Sequence, residues 1–159
     1  MLIAGIDPGS NKFGIAVINE KRKILYRKIV RMTDTDSGFD MKAGSAINEC
    51  VLAESLAGSF VEINKKIGAP DVIVMGNGTT SQIFSRVLGN IKPALMELSR
   101  DLKIITADEY CTTQTARELY RNSIELPFIL KYIIPKSLIP VTCDIDDYAA
   151  AAIAISYLK

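Results

Sequence analysis

The chain contains no histidine. That absence removes the commonest general base and most zinc chemistry, so acid–base or metal work must rest mainly on carboxylates. Cysteine is scarce as well. Cys50, Cys111 and Cys143 are odd in number and far apart, with neither CxxC pairing nor zinc spacing, which is the usage of reduced thiols in a cytoplasmic protein. No apolar run approaches a membrane span, and Met1 leads into a short apolar stretch broken by Asp7 and Pro8 rather than into a signal peptide. A cytoplasmic location and no membrane partner are expected. Charge of one sign is also missing: the formal net charge is +1, so any nucleic-acid face has to come from local clustering. Repeats, low-complexity tracts and dividing linkers are absent from the pattern.

What is present suits one globular domain over residues 1–159, with a hydrophobic share of 48%. A chain of that length buries roughly 70% of its unfolded surface and needs no staples. Short apolar runs at 2–6, 13–18 and 24–30 read as three antiparallel strands, the last alternating apolar and basic residues. A polar loop covers 32–42. Apolar residues at helical spacing (Ile47, Val51, Leu52, Leu56, Phe60, Ile63) predict a helix over 43–67, stopped by Gly68 and Pro70. A buried strand at 71–75 ends at Gly76-Asn77-Gly78, and Thr79 or Thr80 caps a helix to about 98. A fifth strand at 103–106 precedes a helix from Thr112 or Thr113 to 120. Residues 121–142 carry Pro127, Pro135 and Pro140 and read as irregular. An alanine-rich helix over 144–158 closes the chain. The order βββαβαβαα predicts an α/β fold: a mixed five-stranded sheet, three strands antiparallel and then parallel ones, with helices on both faces.

Chemistry-bearing residues gather at the ends of these elements. Asp7 follows strand one, above a turn in which Gly9 eases the backbone and Ser10 can meet a phosphate; an Asp before Pro-Gly is equally an ordinary turn starter. Asp144, Asp146 and Asp147 open the last helix. One acid explains a cap, but three in four residues exceed that need, and Asp144 and Asp147 at a spacing of three are expected to share a helix face. Asp108 and Glu109 follow strand five, and the ends of strands one and five fall on one edge, where α/β sheets bind ligands. Carboxylates from separated segments, without His or Cys partners, suit Mg2+ or Mn2+. Two such ions roughly 4 Å apart can activate a water and stabilise the leaving oxygen of a phosphodiester. Gly76 to Ser81 offers amides and hydroxyls at a helix start but lacks the lysine of a P-loop. Lys21, Arg22, Lys23, Arg27, Lys28 and Arg31 cluster in one hairpin, as a phosphate-binding ribbon or as a charged edge strand. Ser10, Lys12, Asn77, Thr79, Thr80, Arg27 and Lys28 are the candidate nucleic-acid contacts, and Tyr26 and Tyr110 can stack on bases.

Gly5-Ile6-Asp7-Pro8-Gly9-Ser10, followed by Phe13-Gly14-Ile15-Ala16-Val17, resembles the opening of the YqgF and RuvC resolvase families, which share the RNase H-like fold. Asp108-Glu109-Tyr110-Cys111-Thr112-Thr113 is similar to the YqgF Asp-Glu-Arg motif before a Thr-Thr helix start. The acidic turn and alanine run after Asp144 resemble both families, and Gly76 to Ser81 is similar to a loop of the YqgF-like domain of Tex. The resemblance implies a magnesium- or manganese-dependent nuclease cutting branched DNA or a ribosomal RNA precursor to leave a 5′-phosphate. It makes Asp7 and Glu109 catalytic carboxylates and leaves the last acid open, where the helix face expected to be shared with Asp144 favours Asp147; the metal ligands are then Asp7, Glu109, Asp144, Asp146 and Asp147. The YqgF pattern points to Asp146, the RuvC spacing to Asp144 with Asp147. A monomer or a homodimer is compatible. Two departures stand out: Gly76-Asn77 occupies the place of the RuvC glutamate after strand four, and Tyr110 that of the YqgF arginine. The rival readings are a non-catalytic nucleic-acid or protein-binding module, and an actin/sugar-kinase-like ATPase, against which one short lobe argues.

Overall fold

The computed structural model describes residues 1–32, 48–99, 101–108, 112–124 and 135–158. Five strands form one sheet: β1 (Leu2–Asp7), β2 (Lys12–Asn19), β3 (Ile24–Arg31), β4 (Val72–Gly76) and β5 (Lys103–Ala107). Their order is β3-β2-β1-β4-β5. The β1–β2 and β2–β3 pairs are antiparallel, and β1–β4 and β4–β5 are parallel. The described α-helices are α1 (Glu49–Ile67), α2 (Ser81–Met96), α3 (Thr112–Ser123) and α4 (Asp146–Ser156), with a 3-10 turn at Lys136–Leu138. The predicted mixed sheet and element order are what the chain adopts.

Strand alternation explains the layers. Ala4, Ile6, Phe13, Ile15, Val17, Ile73 and Met75 point to one face, where Leu52, Leu56, Phe60 and Ile63 of α1 and Phe84, Val87 and Leu88 of α2 cover them. Ile3, Ala16, Ile18, Val72 and Val74 point to the other, under Ala150, Ala151, Ile153 and Ala154 of α4. Helix α3 packs on the outside of α4, with Ala116 against Tyr148 and Ala152. The alanine run therefore has a mechanical role. It lets α4 lie so low that a Cβ placed on Gly5 would stand 1.9 Å from the Ala150 carbonyl oxygen, and one on Gly14 1.9 Å from that of Asp146.

Element ends differ from expectation in several places. Helix α1 begins at Glu49, with Asn48 Oδ1 accepting from the Cys50 amide at 3.0 Å; the predicted residues 43–47 and most of the loop lie outside the described residues. Thr80 occupies the N-cap of α2 but makes no side-chain cap bond: its backbone is already helical, which turns Oγ1 inward. Helix α3 runs on to Ser123, three residues into the stretch expected to be irregular.

Across the α1 face, Glu62 bridges α1 to the sheet. It accepts from Lys28 Nζ of β3 at 2.9 Å and from Lys66 Nζ at 2.8 Å. These hydrogen bonds, Lys28 first, hold its carboxyl down at about 2. A depressed carboxylate contributes stability above its ordinary value, here 4.5, which is lost as pH falls through about 2. The partners are half-exposed, so the contribution is small. Glu62→Gln is expected to flatten the stability profile between those two pH values and leave it unchanged in shape near neutrality, as read by urea unfolding. A steeper effect is expected at the α4 contact. Gly5→Val should cost about 2–3 kcal/mol, since backbone rather than a flexible side chain blocks the new atoms, and lower the melting temperature correspondingly; an unchanged thermal melt would contradict the close packing.

Candidate active site

The parallel ladders place three strand ends on one edge. Ile6 pairs with Met75 and Met75 with Thr106, so Asp7, Gly76 and Ala107 follow one step later at the same edge. Asp7 has the parity of Ile3 and Gly5, which assigns it to the face covered by α4. It also pairs in register with Gly14, the residue that α4 crosses at Asp146. The last strand position of β1 and the first turn of α4 thus meet by construction. Asp7, Pro8, Gly9, Ser10, Asn11, Lys12 and Asp146 line an open cleft of about 300 Å³.

The acids of the last segment do not divide as expected. Helix α4 starts at Asp146, so Asp144 lies before it and shares no helix face with Asp147. The two that converge are Asp144 and Asp146: Lys12 Nζ sits 2.8 Å from Oδ2 of each. Asp146 Oδ2 is buried, and the Lys12 ion pair is its contact there. Arg31 adds a contact to Asp144 at 3.5 Å. The Lys12 ammonium holds the Asp144 carboxyl below the usual carboxylate range, and Asp144, then Asp146, raise the Lys12 ammonium in turn.

Asp147 turns elsewhere. Its side chain is 7% exposed and is ion-paired with Arg27 NH1. The Arg27 guanidinium also lies 4.2 Å from the centre of the Tyr148 ring. The Tyr148 hydroxyl is 2.6 Å from Ser123 Oγ of α3, and its ring meets Tyr120 edge-on. Asp147, expected as the last catalytic acid, is therefore the inner end of a network tying β3, α4 and α3 together. Sequence reasoning could not see this pair, which is 120 residues apart.

The other candidates are placed as follows. Ser10 is exposed beside Asp7 in the cleft. Asn77 donates to Asp108 Oδ1 at 3.5 Å, joining the loops after β4 and β5, and Thr79 is exposed beside it. Glu109 and Tyr110 lie outside the described residues. Arg27 and Lys28 point to opposite faces of β3, toward Asp147 and Glu62 respectively, so they form no common ribbon. Tyr26 is tucked against α1 with its hydroxyl buried and Lys66 Nζ 5.5 Å from its ring, and burial, then the Glu62 carboxylate, pushes that hydroxyl up to about 12. Among the described residues no group of three or more His, Cys, Asp or Glu is arranged to hold a metal ion. No described helix is long and apolar enough to cross a membrane.

The fold is that of RuvC-like resolvases within the RNase H-like architecture. RuvC of T. thermophilus in complex with a Holliday junction substrate is 17% identical, with a TM-score of 0.55 over 98% of this chain and 91% of that one. The fowlpox virus Holliday junction resolvase is 14% identical, with a TM-score of 0.54 over 99% and 98%. The yeast mitochondrial resolvase Ydc2 is 15% identical, with a TM-score of 0.50 over 98% and 77%. No protein-family model matches the sequence, and no curated protein matches it. At these identities the likeness is one of fold.

The Arg27–Asp147 pair gives a direct test of the structural role. Arg27→Met leaves a buried carboxylate without its counter-ion and should cost about 2 kcal/mol, discounted for the half-exposed guanidinium. Adding Asp147→Leu should recover most of that loss in urea unfolding. If the single variant is as stable as the parent, Asp147 is not held by this network.

Proposed function

We propose that the chain is a divalent-metal-dependent endonuclease acting on structured nucleic acid, with branched DNA as the first substrate to test and a ribosomal RNA precursor as the second. The observation that carries this reading is the meeting of Asp7 and Asp146 in one cleft at the strand edge. The resemblance in fold to a RuvC bound to a Holliday junction supports the substrate class.

The residues fit a hard cation. All donors are carboxylate oxygens, one of them a buried oxygen of Asp146, and an ammonium already stands between two of them. Asp7 and Asp146 would hold magnesium or manganese together with waters and substrate phosphate oxygens, joined by Glu109, and by Asp144 and Asp147 where Lys12 and Arg27 release them. Such an ion supplies Lewis acidity at a phosphoryl oxygen and neutralises charge on the leaving oxygen. The Ser10 hydroxyl and Lys12, on the cleft wall, orient the phosphate. Asn77 and Thr79, past β4, extend the contact along the backbone. The YqgF-type assignment, and the choice between monomer and homodimer, belong to the same proposal.

A second reading, a non-catalytic nucleic-acid-binding module, is favoured by Gly76, which leaves the β4 end without a carboxylate. The two part on one substitution. Asp7→Asn is expected to abolish magnesium-dependent cleavage of a four-way junction while the melting temperature stays near that of the parent, because Asp7 is partly exposed at a strand end. A parent protein that binds the junction but never cuts it with magnesium or manganese establishes the module instead.

A further inference from the structure

Three cations on the α4 face of β2 and β3 are engaged by acids of the last segment: Lys12 by Asp144 and Asp146, Arg31 by Asp144, Arg27 by Asp147. Lys12 differs from the others in position. It lines the cleft together with Asp7, its ammonium is equidistant from the carboxylates of Asp144, just before α4, and Asp146, that helix's first residue, and its side chain is one-third exposed. That is the place and the charge of a bound cation.

From this we infer that Lys12 is the resident counter-ion of the carboxylate cleft, held there until a divalent cation takes Asp144 and Asp146 from it, whereupon its ammonium is free to pair with a nucleic-acid phosphate. This rests on the metal-dependent reading above and deepens it. The physics is charge exchange. Asp144 and Asp146 without any cation would repel each other across a short gap, so the resting cleft is stabilised by an internal ammonium. The same ammonium, left in place, would repel an incoming dication. Its release therefore subtracts from the intrinsic metal affinity. A phosphate that welcomes the freed Lys12 returns part of that loss, so metal and nucleic acid bind each other's complex more tightly than the free protein. The hairpin supplies the hinge for this exchange only at the side chain: four methylenes let the ammonium swing without moving β2.

The test is manganese binding by the full chain, followed by the paramagnetic line broadening of Mn2+ and by calorimetry without nucleic acid. Lys12→Met keeps the aliphatic stem and removes the charge; Lys12→Gln does so with a polar end, should the first variant fold poorly. Both are expected to bind Mn2+ about ten- to hundredfold more tightly than the parent. Lys28→Met, which removes a charge from the same hairpin on the opposite face, should stay within about twofold of the parent, because its ammonium faces Glu62 and is screened from the cleft. A cleavage-blocked four-way junction, its phosphates unreactive, should tighten Mn2+ binding in the parent and much less so in Lys12→Met. If Lys12→Met and the parent bind Mn2+ equally, Lys12 is no competitor and the inference falls while the metal-dependent reading stands. If Lys28→Met tightens binding as much as Lys12→Met, the effect is one of net charge and the inference falls too. If neither the parent nor any variant binds millimolar Mn2+, both the inference and the metal-dependent reading fall.

Discussion

Helix α4 lies low enough on the sheet for its backbone to meet the glycines of β1 and β2, beside the packing of its small and branched side chains, and the remaining architecture depends on that contact. Only glycine fits at positions 5 and 14, because the Ala150 and Asp146 carbonyls occupy the space a Cβ would take. Close approach of this kind needs small residues on both partners, which Ala150, Ala151 and Ala154 provide. Its consequence is geometric. A helix held this low has its N-terminal turn fixed against the Asp7–Gly14 rung, so an acid at 146 is delivered to the end of β1 without any loop having to position it. The site is built on a strand and a helix, the elements best able to hold side chains still.

Electrostatics then sorts the basic hairpin by parity. Lys12, Arg27 and Arg31 share the α4 face of the sheet, and each pairs with an acid there. Lys28 points the other way and pairs with Glu62 of α1. A run of cations that looks uniform along the chain is thus divided between the two faces of the sheet, toward the acids of the last segment on one and toward α1 on the other. Within β3 a period of two separates Lys28 from Arg27 and Arg31, so these three cations do not lie on one face.

Much of this was legible beforehand because it depends on local pattern. The apolar runs, the Gly68 and Pro70 stop, the alanine run and the order of elements are written in residue spacing, and they yielded the sheet and the two-sided cover. The convergence of strand ends followed from parallel topology alone. What was not legible depends on partners distant in sequence. Asp144 and Asp147 read as neighbours on a helix, but that required the helix to begin at 144; it begins at 146, with Asp144 drawn off to Lys12 and Arg31. Asp147 read as the last catalytic acid, since nothing local reveals that Arg27, opposite Ala16 in the β2–β3 register, pairs with it. Thr80 read as a capping residue because its type favours capping, yet its helical backbone angles deny the hydroxyl that role.

The departures from the resolvase pattern acquire a common sense in this geometry. By resemblance, RuvC-like chains carry a glutamate after the fourth strand. Here Gly76 stands at that place, one step beyond the Ile6–Met75 rung and beside Asp7. Replacing a carboxylate with glycine lowers the negative charge of the edge, and Lys12 lowers it again from the β2 side. A cleft so depleted holds a cation less firmly when alone, because fewer full charges face it. Affinity must then come from what arrives with the cation. A phosphate brings oxygens of its own and pairs with the ammonium the cleft has to release. In the metal-dependent reading proposed above, Gly76 and the Lys12 ion pair push in one direction, toward a site completed by nucleic acid and metal together.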